Sequence, residues 1–485
     1  MPVLNCAQTD LSPYVASTDQ PWNLARVAHL YRRMGYGADV ATRAAALDAS
    51  ATALVDTLID AAIAAPALQA PEWADWDYTD YPSDQFFEVR EEHYREWIGE
   101  VLTDLRAHPL RVKLQLFWHN HFVTESVAYD CPAYLYEYAT LLRQHALGNF
   151  KTFVREIGLC NAMLIYLNGY ENSKHSPNEN YARELYELFT LGADNNYTQQ
   201  DIEETARALT GYTGRSVFCG PINYHSFDHD TGDKTIFGDT ANHDYDSVID
   251  LLFEVRATEI SEFICAKVYR HFVHPEVDAA IVAELAATFR QQDWELEPVF
   301  RQLFRSAHFF DAAVLHTRIA DPMEFMYTLA HEMGVADDVF SIDEQYGNLY
   351  FMGMTLFDPP NVAGWPGNRS WISTSLLTAR WRVASFLLLR AYDMDQATFL
   401  NLAVELVGDV TESDPAVVAT AIVDYFIPGG LTDPVQYERA VTVFKGDVPE
   451  YYYNTNQWNL AFEYAPLQVA LLVNHIAQMP EYPLL

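Results

Sequence analysis

Lysine is scarce in this chain. Of 30 basic residues only six are lysines, Lys113, Lys151, Lys174, Lys234, Lys267 and Lys445, against 67 acidic residues. The resulting net charge of −37 excludes a broad basic face for nucleic acid or anionic lipid. An acidic, lysine-poor surface fits a protein kept soluble by salt, so it is read first as the mark of a halophilic or marine bacterium. The five cysteines, Cys6, Cys131, Cys160, Cys219 and Cys265, have no paired spacing. That excludes a zinc knuckle or a redox CxxC, allows one or two disulfides, and leaves at least one thiol. No apolar run approaches the roughly 18 residues of a membrane span. Residues 1–20 lack a charged start and an apolar core, so no signal peptide is visible and a cytoplasmic location stays open. The chain has no βα alternation, no GxGxxG and no GxxxxGK[ST], which excludes the usual nucleotide-binding folds. It has no GxSxG elbow either, which argues against a serine hydrolase of the α/β type.

What is present is apolar and aromatic. Half the residues are hydrophobic, and the 30 Tyr, 27 Phe and 10 Trp exceed the needs of a core. Such a surplus suits a groove that stacks on sugar rings as well as thick helix packing. Apolar periodicity near 3.6 recurs along most of the chain. It predicts helices over 23–34, 41–65, 86–106, 111–123, 132–167 with a break at Gly148, 199–210, 246–311, 321–335, 376–405, 415–426 and 456–479. The one extended region, at residues 213–240, reads as a small hairpin insertion with short runs at Val217-Phe218 and Tyr224–Phe227. The expected fold is mainly α: a large irregular multi-helix assembly forming one domain over 1–485. Residues 1–330 and 331–485 are candidate lobes.

The densest helical signal runs from Ser176 to Gly192. Ser176 can cap it, Pro177 suits the first helical position, Glu179 sits where a capping box wants a carboxylate, and Gly192 suits the position after the end. At 100° per residue, Glu179, Asn180, Arg183, Glu184 and Glu187 fall within roughly 140° of arc. The bland reading is a solvated helix face. The functional reading makes Glu179, Glu184 and Glu187 general acids or bases, with Arg183 on an anionic group and Asn178 and Asn180 on substrate.

Two other segments carry histidine. His119 and His121 lie in the most apolar helix, Arg111–Val123, as buried, hydrogen-bonded rings or as ligands to a divalent metal ion. Two residues apart on a helix they diverge by about 200°, so shared ligation needs the helix to end there. The loop at 212–245 holds His225, Asp228, His229, Asp230 and His243, a metal-like composition without a metal template. His229 and Asp230 are taken as catalytic and Lys234 as an anion contact. The loop Asp358–Gly367, with three prolines, two glycines and Trp365, is either a rigid corner or the aromatic wall of a cleft. Buried polar groups need partners, so the three histidine- and carboxylate-bearing segments are expected to converge on one cavity.

Pro177-Asn178-Glu179-Asn180-Tyr181-Ala182-Arg183-Glu184-Leu185 and Glu187-Leu188-Phe189-Thr190-Leu191-Gly192 resemble the signature of a bacterial family, the domain of unknown function numbered eighteen hundred. Arg32–Ala38, Tyr197–Asp201, Ala206–Tyr212, Tyr269–Val273 and the Gly364-Trp365 loop extend the resemblance over most of the chain. It implies export, hence a periplasmic or extracellular place, and a gene neighbourhood containing sulfatase-like and alkaline-phosphatase-like proteins. The expected function is therefore a hydrolase-like envelope enzyme acting on a glycan, or on a sulfated or phosphorylated glycan, through a His/carboxylate cleft. The alternative is a non-catalytic binding or assembly protein that partners the sulfatase- or phosphatase-like protein. The charge balance generates one test: the melting temperature should rise between dilute buffer and molar potassium chloride as self-repulsion is screened, and a flat or falling value removes the saline-habitat reading.

Overall fold

The computed structural model describes residues 6–485. Among these, 58% are helical and 4% lie in strands. The fold is mainly α, and its buried apolar side chains form one continuous cluster from Leu11 to Leu485. Several helix starts follow from capping chemistry. Thr198 and Asp201 form a capping box on Gln199–Ala208, and Asp321 and Glu324 do the same for Pro322–Glu332. The alanine-rich stretch divides where one helix was expected: Val40–Ala46 ends, and Ser50 caps Ala51–Ala64 by accepting from the Ala53 amide. Residues 132–167 give three helices, Pro132–Gln144, Phe150–Leu159 and Asn161–Tyr166. Asn149 caps the second by accepting from the Thr152 amide.

The extended insertion consists of two small antiparallel pairs, Tyr212–Gly214 with Asn223–Tyr224 and Lys234–Ile236 with Asp239–Ala241. Val217 and Phe218, expected to be extended, lie in a turn. Cys219 next to them is bonded to Cys131, which tethers the insertion to the start of helix Pro132–Gln144. Cys6, Cys160 and Cys265 are free thiols.

Distant parts of the chain meet at a buried charge cluster. Arg32 donates to both carboxylate oxygens of Glu332 at 2.7 Å and to the Phe426 carbonyl at 2.8 Å. Arg43 forms a second ion pair with the same carboxylate and lies 4.3 Å over the Tyr425 ring. Glu332 has no exposed surface and each arginine is 2% exposed. Helices Leu24–Met34, Val40–Ala46 and Pro322–Glu332 thus meet at one carboxylate, and the two arginines tie in helix Pro415–Phe426. Replacing Glu332 by Gln leaves two buried cations sharing one neutral acceptor. The expected loss is roughly 3–5 kcal/mol, read as a lower urea midpoint. A loss below about 1 kcal/mol would mean that the cluster is not a structural joint.

Candidate functional site

The signature segment starts later than its capping residues suggest. Its α-helix is Asn180–Glu184, continued by a π-helical turn over Leu185–Thr190. Ser176 does not cap it. Asn172 Oδ1 accepts from the Asn178 amide at 2.9 Å and Asn178 Oδ1 from the Asn180 amide at 3.0 Å, which holds the approach as a turn. The Asn180 side chain donates to Asn168 Oδ1 at 3.1 Å. The π turn, closed by the Leu191 amide on the Tyr186 carbonyl at 2.8 Å, departs from the regular helical step. Of the predicted polar arc, Glu179, Arg183 and Glu187 stay paired across this turn.

Arg183 bridges Glu179 at 2.9 Å and Glu187 at 3.4 Å, and Gln199 donates to Glu179 at 2.8 Å. Glu179, Arg183 and Glu187 retain 30–38% of their side-chain surface, so they form a solvated ladder. Glu184 differs: it makes no hydrogen bond or ion pair among the described residues. Burial pushes its carboxyl up, and the charge of Glu187 adds to this. The Glu184 charge acts with Glu125 and Asp358 on the Tyr166 hydroxyl, which donates to Glu125 at 2.6 Å. Burial also raises Asp358.

His119 and His121 diverge even though helix Pro109–His119 ends between them. His119 Nδ1 is 2.7 Å from the Tyr138 hydroxyl, and its ring lies 5.4 Å from Trp365. Burial pulls its pKa down to about 3. His121 Nε2 is 3.0 Å from the Phe189 carbonyl. A carbonyl only accepts, so Nε2 carries the proton and Nδ1 has the lone pair. Lys267 Nζ donates to that Nδ1 at 3.0 Å.

The insertion loop is satisfied by its own residues and by the end of the helix before it. His229 Nδ1 donates to the Thr210 carbonyl at 2.9 Å. Asp230 accepts from Arg207 and the Gly232 amide, both at 2.8 Å. Burial works against that carboxylate, but these bonds hold its pKa below the ordinary value. Lys234, fully buried, spends its ammonium on the Asp230 carbonyl, Asn242 and the His243 carbonyl. His121 thus meets the signature segment at its backbone, while His119, the signature carboxylates and the insertion loop keep separate side-chain partners. Among the described residues no group of three or more His, Cys, Asp or Glu side chains could hold a metal ion.

Convergence occurs elsewhere. A cleft of about 430 Å³ lies between the end of helix Pro109–His119, the last turns of helix Ala257–Phe272 and the loop at 363–368. Lys267, Arg270, Arg318, His121, His271, Asn120 and Trp365 line it, and no Asp or Glu does. Lys267 and Arg270 stand one turn apart, and neither forms an ion pair with a carboxylate among the described residues. Burial, and then the charge of Arg270, pulls the Lys267 pKa down to about 8. Arg318 is spent on Glu324, which also takes Lys113 at 2.8 Å. Burial and the Arg318 charge hold His271 well below its usual range, so that ring is neutral.

Asn120 fixes the Trp365 loop from both sides, accepting from the Trp365 amide at 2.7 Å and donating to its carbonyl at 3.3 Å. Gly364, at φ +80°, is needed there because a Cβ would collide with Asn120 Oδ1. Trp365 is only 7% exposed, so it forms the cleft floor rather than a free stacking plate. A larger cavity of about 550 Å³, mainly apolar, lies between helices Phe86–Ala107, Pro322–Glu332 and Thr374–Met394, and no predicted site residue reaches it.

Sequence reasoning missed Lys267 and Arg270. The available signal was a lysine in a chain with six, spaced three residues from an arginine inside the family-like stretch Tyr269–Val273. No curated protein and no solved structure matches the chain. One family model does, described as Protein of unknown function (DUF1800), over residues 29–484. That match takes in the signature helix, the cleft and the Trp365 loop together, and the chain belongs to this family.

Proposed function

We propose that the protein binds an anionic ligand, a sulfated or phosphorylated sugar, in the cleft formed by Lys267, Arg270 and the Trp365 loop. One observation carries this reading. In a chain of net charge −37, two neighbouring cations line a concave site that contains no carboxylate. Two such charges held together without counter-charges repel each other, and an anion relieves that cost. The volume of about 430 Å³ lies in the range of small-molecule sites, and Asn120, Asn368 and Pro366 supply a polar, rigid edge.

The Cys131–Cys219 disulfide supports an oxidising compartment, periplasmic or extracellular. A cleft without a carboxylate pair favours binding over hydrolysis, with a sulfatase- or phosphatase-like protein as the enzyme it would serve. The hydrolytic reading rests on a different observation, the half-buried Glu184 carboxyl, raised and without a partner beside Tyr166, which is suited to proton donation.

Calorimetry tests the binding reading. A sulfated disaccharide should bind in dilute buffer, and Arg270→Gln and Lys267→Met should each weaken binding about tenfold, the loss of one charge-assisted contact. Affinities unchanged in both variants, or no heat with any sulfated or phosphorylated sugar, would remove the cleft as the site.

A further inference from the structure

The cleft is lined by a lysine whose amine makes two hydrogen bonds and, among the described residues, no ion pair. Lys267 Nζ has two near partners, His121 Nδ1 and the Leu188 carbonyl, each at 3.0 Å. The Phe189 carbonyl fixes the His121 tautomer, so His121 Nδ1 can only accept from this amine in the neutral ring. Both carbonyls come from the π turn of the signature helix. That turn therefore sets one backbone oxygen against Nζ and a second against the far side of the His121 ring, and no carboxylate against either. Nζ also lies over the Phe263 ring, 4.8 Å from its centroid. The side chain lines the cleft, and among the described residues Nζ has no third hydrogen-bond acceptor.

The other five lysines are placed differently. Lys113, Lys151 and Lys445 pair with carboxylates, Lys234 is saturated by loop acceptors, and Lys174 lies over the exposed Phe227 ring.

We infer that Lys267 forms a covalent imine with the carbonyl carbon of an anionic aldehyde or ketone, such as the open-chain reducing end of a phosphorylated or sulfated sugar. This rests on the anionic-ligand reading of the cleft and adds the chemistry of the bound group. Arg270, one turn on, holds the anionic end and Nζ meets the carbonyl. The Nζ lone pair forms the C–N bond, and the carbonyl oxygen gathers two protons and leaves as water. An amine and a carbonyl thus become a C=N bond and one water, with no change of oxidation state and no other reactant. The charged and titratable groups around Nζ are Arg270 and the neutral His121 ring. Arg270 disfavours the ammonium, and no carboxylate stabilises it.

Reductive trapping on the full chain decides the matter. Glyceraldehyde 3-phosphate is added with sodium cyanoborohydride, and the modified lysines are mapped by peptide mass spectrometry. Binding of glycerol 3-phosphate, which has no carbonyl, is measured separately by calorimetry. The expected result is modification of Lys267 about tenfold above Lys151, Lys174 and Lys445. It should rise with pH around a midpoint of about 8 and be suppressed by glycerol 3-phosphate. In Arg270→Gln the phosphorylated aldehyde should lose its advantage over unphosphorylated glyceraldehyde, a drop of about tenfold for one charge-assisted contact. If glycerol 3-phosphate binds while Lys267 is modified no more than the other lysines, the imine is wrong and the anion site stands. If neither binding nor selective modification occurs, both readings fall. Selective modification that glycerol 3-phosphate does not suppress overturns the assignment of an anionic carbonyl ligand.

Discussion

A single carboxylate with no exposed surface, Glu332, holds two arginines that belong to the start of the chain and a helix that belongs to its last third. Removing charges from water is costly, and only close pairing with further hydrogen bonds offsets that cost. The cluster meets the requirement through the bidentate Arg32 contact, the carbonyl of Phe426 and the Tyr425 ring under Arg43. A second buried group, Lys113 and Arg318 on Glu324, stands beside the cleft. It explains why Arg318 is not available to a ligand while Lys267 and Arg270 are. Hydrophobic burial drives such an assembly without direction; the ionic contacts select which helices meet.

Much of the fold was legible from local rules. The mainly α class followed from periodicity, and the capping box on Gln199–Ala208 is the pattern that Thr198 and Asp201 spell. The split at Ser50 was legible in principle, since serine before an alanine run is a start signal. It was overridden by the strength of the alanine pattern. The signature segment shows where such rules stop. Ser176, Pro177 and Glu179 have the composition of a helix start, yet Asn172, six residues before Asn178, takes the Asn178 amide and delays the helix. The π turn that follows cannot be read from a fixed 100° step.

The candidate site was less legible because its chemistry depends on what is missing around each group. Histidine and carboxylate counts drew attention to His229, Asp230 and Lys234, whose polar atoms are taken up by the loop and by the end of the helix before it. Lys267 and Arg270 look ordinary in sequence. They become unusual only when the fold gives them no carboxylate in a chain that has 67 acidic residues. Absence of a counter-charge is a three-dimensional property, and no spacing rule encodes it. The Trp365 loop falls between the two cases: its rigidity was evident from its prolines and glycines, while its fastening by Asn120 required the structure.

The bond between Cys131 and Cys219 spans 88 residues of sequence, and the signature helix lies inside that span. Closing a loop of this size limits the unfolded chain by on the order of 4–5 kcal/mol in the chain-entropy account. It has a second effect on the finished molecule. Ala193, Asp194 and Asn196, just past the signature helix, form an exposed turn, the kind of place where proteases cut. A cut there opens the backbone but not the covalent ring, so the two pieces remain one molecule until a reductant parts them.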